Sequence, residues 1–525
     1  MRRKALMMSG TLVILGLFLG PLQAAVPPIE FGGPSYDSPG YALRMTFAVM
    51  KERAIFKDLT LNGVSARNVF VTSSGKQADL TKPLTPGFYE IFIPYAWKAK
   101  KPYKAVLLYR DEKGTKDKDF EWAGTAPDQG GIPEKCDEGF FRIYKVEETA
   151  GLGRKGEIAY LTLTAPKADV DKANFGFFDG GQAVPYQIID VRESTPQESQ
   201  AKTHPVTLTY KIALPLDAAP GQKKLLMVFL GGGGPSTEKG FSISGEGFGK
   251  TIASSRLSLQ LHPKSGQINT IEYPAEKIKL HNEKAGVIHW NPDVFVPGIA
   301  WDHSFDWNPP QSLAEKDGAF VYINARKGPL PRLVDVFLEV KYTLEKNAPY
   351  VISETRMTVE KDLGVIALRN DEMVLYKRLF DTLMYKDSRE GVVKRPLLEL
   401  PGAPFGLAHI AETDAAWAGL ANTMMRYGFF SVRLNEANVN LDISGDFAHR
   451  AGTYFYAPSD GEYVYWVRPL LYTWANSATS NHLTFLPKGS SFYEKNAYIA
   501  LPLDEKTPDI LDELSKRLKN PLWIY

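Results

Sequence analysis

Residues able to do chemistry crowd into one stretch, 287–310. It holds His289-Trp290-Asn291-Pro292-Asp293 and Trp301-Asp302-His303-Ser304-Phe305-Asp306-Trp307-Asn308-Pro309-Pro310. Three tryptophans, two histidines, three aspartates and two asparagines stand within 24 residues. Tryptophan faces suit the apolar faces of sugar rings, and Asn and Asp suit hydroxyls. Four prolines argue against a regular central strand. The stretch is therefore expected as a long loop over a sheet face, where binding residues tend to sit. An inward-packing structural loop would use the same residues, and the two readings carry equal weight.

Two further clusters add candidates. Arg369-Asn370-Asp371-Glu372 reads as an extended segment with Arg369 on one face and Asn370 and Glu372 on the other. A solvated strand end is the plainer reading of that charge run. His449-Arg450, followed by Tyr454 and Tyr456, forms the third cluster.

These residue types fit two reactions. A lyase acting on a uronic acid removes the proton beside the carboxylate and expels the glycosidic oxygen. It needs a base (His289 or His303), an acid (Tyr454 or Tyr456) and a carboxylate neutraliser (Arg369, Asn291 or Arg450). A hydrolase needs two carboxylates, for which Asp302, Asp306, Asp371 and Glu372 are available. Trp290, Asn291, Trp301, Asp302, Trp307, Asn370, Glu372 and Arg450 are the expected substrate contacts. His289, Asp302 and His303 match no metal-ligand spacing. No cofactor is expected; these three residues could ligate a divalent metal, which the spacing does not indicate. A serine hydrolase lacks its Gly-x-Ser-x-Gly elbow.

The elements that must position these groups read as β-strands. The chain has 525 residues and one cysteine, Cys136. An intrachain disulfide is thus excluded, and packing must supply stability. Arg2, Arg3 and Lys4 precede an apolar run, 6–20, and small residues at Ala24 and Ala25. That order is a signal peptide, so the protein is expected in the periplasm or secreted, with no integral membrane segment after cleavage. Formal net charge is +2, and removing the three leader cations leaves −1, which excludes a nucleic-acid partner held by phosphate contacts.

Short alternating runs broken by Asn62-Gly63 and Thr85-Pro86-Gly87 predict a β-sandwich over 25–130. A second β domain spans 131–253 and ends in a Gly-rich linker, expected as a mobile interdomain loop. Within it, Gly249-Lys250-Thr251 imitates a phosphate loop but lacks the upstream glycine, since Ser244 stands there. The region 254–505 is one large β unit. In it, polar residues recur every second position through Val334-Asp335-Val336-Phe337-Leu338-Glu339-Val340, as in sheets with one wet face. Residues 371–384 and 415–427 fit either helix or strand. Residues 506–525 carry a short helix, with Pro508 at its start, Ile510, Leu511, Leu514 and Leu518 on one side, and Asn520-Pro521 closing it. The fold class is mostly β: N-terminal sandwich domains, then a large antiparallel β-supersandwich, then that helix.

A strand, a tight Ser265-Gly266 turn and a strand over 257–273, followed by long antiparallel strands, resemble the β-supersandwich or galactose-mutarotase-like fold. Val146-Glu147-Glu148-Thr149-Ala150-Gly151-Leu152-Gly153-Arg154 and Val184-Pro185-Tyr186-Gln187 are similar to β domains of exported polysaccharide-degradation proteins. The likeness spans about two thirds of the chain and is one of pattern. Such folds serve polysaccharide lyases and glycoside hydrolases. The resemblance implies a carbohydrate-active enzyme on a polysaccharide or oligosaccharide, with β-elimination of a uronic-acid glycan ahead of hydrolysis. A non-catalytic glycan-binding accessory protein is the alternative, then an envelope protein without ligand. Oligomeric state is left open.

Overall fold

A computed structural model describes residues 27, 29–31, 42–50, 52–66, 69–73, 76–94, 100–126, 136–170, 174–179, 182–194, 206–231, 233–282, 286–387, 389–399, 407–410, 415–439, 453–456, 463–472 and 483–525. The leader, 1–24, lies outside the described residues, as do His449 and Arg450. No helix among the described residues is long and apolar enough to cross a membrane.

The fold is mostly β. Two compact units divide the chain, Met1–Ile132 and Pro133–Tyr525. In the first, Ala42–Val49 and Gly87–Pro94 centre one antiparallel sheet, and Ala54–Leu61 and Pro102–Asp111 centre the other. Leu43, Ile91, Leu59, Leu107 and Trp122 fill the core between them. Asn62 and Gly63 both take positive φ, the turn geometry that these residue types favour.

The second unit opens with another sandwich. Cys136–Glu147, Phe175–Asp179 and Lys223–Gly231 lie in one sheet, and Arg154–Pro166, Gln187–Glu193 and Thr207–Ala218 form its partner. Three further sheets then share a single apolar core, the supersandwich. One has five strands, from Ser242–Ser244 to Ile278–Leu280. One has six, and begins Ala300–His303, Asp293–Val296, Ala367–Tyr376, Tyr463–Tyr472. One has nine, and includes Val321–Pro329, Val336–Glu345, Tyr350–Val359 and Ser491–Pro502.

The ambiguous segments resolve as strands: Ala367–Tyr376 and Thr382–Asp387 for one, Trp417–Asn422 for the other. The expected mobile Gly-rich loop is also corrected. Ser242–Ser244 pairs with Thr251–Ala253. A Cβ at Gly240 would sit 2.2 Å from the Ala319 carbonyl, so the bare backbone is needed for that approach.

Gln187 ties the second sandwich to the nine-stranded sheet. Its amide donates to the Val321 carbonyl at 2.9 Å and accepts from the Phe320 and Val321 amides at 2.9 Å each. The helix Thr507–Lys519 buries Leu511 and Leu514 in one cluster with Trp417, Phe430 and Ile499. Arg154 anchors the region beyond it, donating to Glu148, Glu157 and the Asn520 carbonyl at 2.8 Å each.

Glu148 is itself buried and accepts from the amides of Ala150, Gly151, Leu152 and Gly221. Burial alone would raise its carboxyl. The Gly221 amide, Arg154 and the neighbouring amides outweigh burial and bring it down to about 2. A carboxyl depressed in the folded state stabilises above its unfolded value and stops doing so as pH falls through its folded value. In urea titrations at stepped pH, wild type is therefore expected to exceed Glu148→Gln fully above about 4.5 and to lose that advantage toward about 2. A constant gap across that window refutes the assignment.

Candidate functional site

The site begins with the stretch expected as a loop. Asp293–Val296 and Ala300–His303 instead form a hairpin at the edge of the six-stranded sheet. Its prolines flank the strands rather than interrupt them: Pro292 precedes the first, Pro297 lies in the turn, and Pro309 and Pro310 follow the second. This satisfies the donor constraint that argued against a strand.

Asp293 aligns with His303 on one side and with Arg369 on the other. Beyond Arg369 the register slips. Arg369 aligns with Pro469, Asp371 with Arg468, and Glu372 with Val467. Residues three apart in a regular strand face opposite ways. The extra residue at Asn370 makes a bulge that returns Glu372 to the face of Arg369. The simple alternation, which set these two on opposite faces, is corrected by that bulge.

Arg369 is the hub. Its Nε donates to Asp293 Oδ1 at 2.8 Å, its Nη2 donates to Asp293 Oδ2, and its Nη1 donates to Glu372 Oε1 at 2.6 Å. The guanidinium also lies over the Trp301 ring, 3.6 Å from its centroid, a cation–π contact. Asn291 sets one amide atom 3.0 Å from both Glu372 Oε2 and Asp293 Oδ2, where a nitrogen would donate to each. His303 Nδ1 is 2.8 Å from Asp293 Oδ2. Arg369, Asp293, Glu372, Asn291 and His303 are all buried. Burial works to raise the Asp293 carboxyl, and Arg369 and His303 overcome it and hold the group below the usual carboxylate range. Partial desolvation pushes the Asp306 carboxyl up, against the opposing pull of His303 and Arg332, although the residue keeps an open face to solvent.

Aromatic rings wall the cluster on its outer side. His303 has Phe305 at 5.0 Å, Trp290 at 5.5 Å and Trp301 at 6.1 Å between ring centroids. Trp290, Trp301 and Phe305 are half-buried, and Asp306 beside them is exposed.

A buried polar layer lies beneath. Gln267 Nε2 donates to the Asn291 carbonyl at 3.0 Å and to Ser304 Oγ. Its Oε1 can then only accept, from Arg326 at 3.1 Å and from the Tyr342 hydroxyl. The single Tyr342 proton is thereby spent, so His289 Nδ1, 2.6 Å from the same hydroxyl, carries its hydrogen and donates it.

The structure thus brings His303, Arg369, Glu372, Asn291, Trp290 and Trp301 together. It places His289 fully buried beneath them, on Tyr342. Asp302 is fully buried and spent on the Arg332 and Leu333 amides at 2.8 Å each. Trp307 is buried, with its indole N–H on the Pro329 carbonyl at 2.7 Å. Asn370 forms the bulge and is fully buried. Tyr454 aligns with Val467, the register partner of Glu372, and Tyr456 follows on that strand. The side chains of Tyr454, Tyr456 and Asp371 lie outside the described residues, as does Arg450. Sequence reasoning missed Asp293, Gln267 and Tyr342. Asp293 alone had a signal, the alternation Asn291-x-Asp293 inside the aromatic stretch.

No protein-family model matches this chain, and no curated protein matches it. Solved structures similar to it include a protein in glycosyl hydrolase family 38 from Enterococcus faecalis (11% identity, TM-score 0.45, 75% of this chain and 48% of that one). An alpha-mannosidase from Enterococcus faecalis V583 is comparable (11%, TM-score 0.46, 75% and 46%). A galactose mutarotase-like protein from Lactobacillus casei ATCC 334 matches over a smaller part (11%, TM-score 0.32, 50% and 100%). The chain spans about half the length of the first two. Those activities belong to those proteins.

Removing the hub leaves two buried carboxylates facing each other. Arg369→Met is expected to cost roughly 3–5 kcal/mol at neutral pH, the usual loss when one partner of a buried ion pair is deleted. Adding Asp293→Asn and Glu372→Gln should restore most of it. Chemical denaturation of the single and triple variants checks this, and a single variant as stable as wild type refutes the hub role.

Proposed function

We propose that this chain is an exported carbohydrate-active enzyme that hydrolyses glycosidic bonds. The observation that carries the reading is the wall of half-buried Trp290, Trp301 and Phe305, with exposed Asp306 on the same turn, over a carboxylate-rich floor. Aromatic faces hold a sugar ring by its apolar side. Glycoside hydrolysis uses a pair of carboxyl groups; in this reading Asp306, whose carboxyl is raised, serves as the acid, and Asp293 or Glu372 beneath the platform supplies the second carboxylate. Export is supported by the Arg2-Arg3-Lys4 and Ala24-Ala25 pattern, with the periplasm or the medium as destination.

Hydrolysis is preferred to β-elimination because Arg369 is already engaged. Its guanidinium serves Asp293 and Glu372 and is covered by Trp301, so it offers no open face to a substrate carboxylate. Enclosure of the carboxylate floor favours the second reading, a glycan-binding protein without turnover.

Reducing-sugar release from a panel of neutral and acidic polysaccharides tests the choice. Release without the ultraviolet signal of an unsaturated uronate is expected. Asp306→Asn should cut kcat by about 100-fold, the scale of general acid catalysis, and Trp290→Ala should raise KM by about tenfold. Glycan binding that Trp290→Ala abolishes, with no product from any polysaccharide, overturns the enzyme in favour of the binder.

A further inference from the structure

A cleft in the N-terminal sandwich has the lining of a sugar site. Strands Pro102–Asp111 and Lys118–Thr125 pair so that Trp122 stands opposite Ala105, Phe120 opposite Leu107, and Lys118 opposite Tyr109. Alternate residues share a face, so these six lie on the one that turns toward the partner sheet. Trp122 is fully buried, and its indole N–H donates to the Thr46 carbonyl of that sheet at 3.0 Å. Toward the hairpin tip the same row leaves the core. Phe120 is 37% exposed, and Lys118 is exposed.

The opening there is a cavity of about 380 Å³, within the range of small-molecule pockets. Phe47, Tyr109 and Phe120 supply its rings. The core braces two of them: Phe47 stacks on Tyr89 at 5.3 Å, and Phe120 meets Trp122 edge-on at 4.8 Å. Glu52, Asp111 and Lys118 line the same cavity. Lys118 donates to Asp111. Asp111, with Tyr109 and Glu52 adding to it, holds the ammonium above its usual range.

Ring faces beside fixed donors and acceptors are what a pyranose needs, with its apolar C–H face and its hydroxyls that both donate and accept. A wholly apolar occupant, such as an acyl chain, would strip water from three charges and replace none of it. Two carboxylates against one ammonium leave the rim net negative, which repels a uronate. We propose that this cleft binds one pyranose unit of a neutral glycan, stacked on Phe120 and Tyr109 with its hydroxyls on Asp111, Lys118 and Glu52. Lys118 neutralises Asp111, so the cleft holds a chain rather than cutting it. It is a second sugar site, in the N-terminal unit, and it requires no turnover at the hairpin 293–303.

The test is native electrophoresis of the full-length chain through gels cast with galactomannan, xyloglucan, mixed-linkage glucan, alginate or polygalacturonate. The chain carries Trp290→Ala and Asp306→Asn, which weaken the other site, so retardation reports the N-terminal cleft whether or not the hydrolase reading holds. Retardation is expected in at least one neutral polymer and in neither acidic one. Adding Phe120→Ala should weaken the affinity by about tenfold, the scale of one lost ring contact. If that variant does not fold, Asp111→Asn and Lys118→Met at the rim decide, and each should reduce retardation relative to a polymer-free gel. Free migration in every neutral polymer overturns the proposal, even where the chain with Trp290 and Asp306 intact is retarded. Retardation by the acidic polymers instead, or retardation unchanged in the folded variants, overturns it as well.

Discussion

Two carboxylates, Asp293 and Glu372, lie out of water within reach of one guanidinium, that of Arg369. Desolvating such charges costs several kcal/mol each unless geometry repays it. The repayment here is bidentate at Asp293 and single at Glu372, with the Trp301 face closing the remaining side. That requirement dictates where the hairpin 293–303 must dock and why Trp301 belongs beside it. The aromatic wall is in this sense a consequence of the charge cluster, because the ring that shields Arg369 from water also presents an edge to the outside.

The bulge at Asn370 is the backbone feature that makes the cluster possible. Without it, Glu372 would point away from Arg369. Bulged strands leave polar groups to be placed, and the interior between the six- and nine-stranded sheets is correspondingly polar at this point. The Asn370 amide has no hydrogen-bond partner among the described residues, while its carbonyl accepts from Thr355 at 3.3 Å. Nearby, Gln267 links Asn291, Ser304, Tyr342 and Arg326 into one chain of hydrogen bonds. Arg326 is fully buried, and burial pushes its guanidinium down. The Tyr342 ring, 4.3 Å away, the Gln267 oxygen at 3.1 Å and the Ser265 carbonyl at 3.4 Å stabilise it. A network of this kind fixes side-chain orientation at the cost of desolvation, which is what a site of defined geometry needs.

Elsewhere the second unit uses the same device to join its parts. Gln187 reaches the nine-stranded sheet, and Tyr160 of the second sandwich donates to Glu345 Oε1 at 2.8 Å while Tyr350 donates to Oε2 at 2.9 Å. Burial raises the Glu345 carboxyl, and the two hydroxyls pull it back only in part. Polar anchors of fixed direction hold these sheets in register where apolar contacts alone would let them slide.

Composition and periodicity alone determined that the chain is mostly β, that it carries a helix near 509–519, and that its aromatic and polar candidate residues crowd between 287 and 310. Those features are local: alternation, capping and aromatic density are written into neighbouring residues. The strand character of 293–303 was hidden because prolines count against a strand unless their positions relative to the ladder are known. Arg369 and Glu372 were visible as charges, but their common face was not, since a bulge is set by the partner strand rather than by the bulged one. Asp293, Gln267 and Tyr342 joined the site only through tertiary structure. Tyr342 is a regular alternating residue of its strand until sheet packing sets it under His289. Burial and convergence depend on contacts between residues tens of positions apart, and no local pattern encodes which of many polar side chains will share the low-dielectric interior.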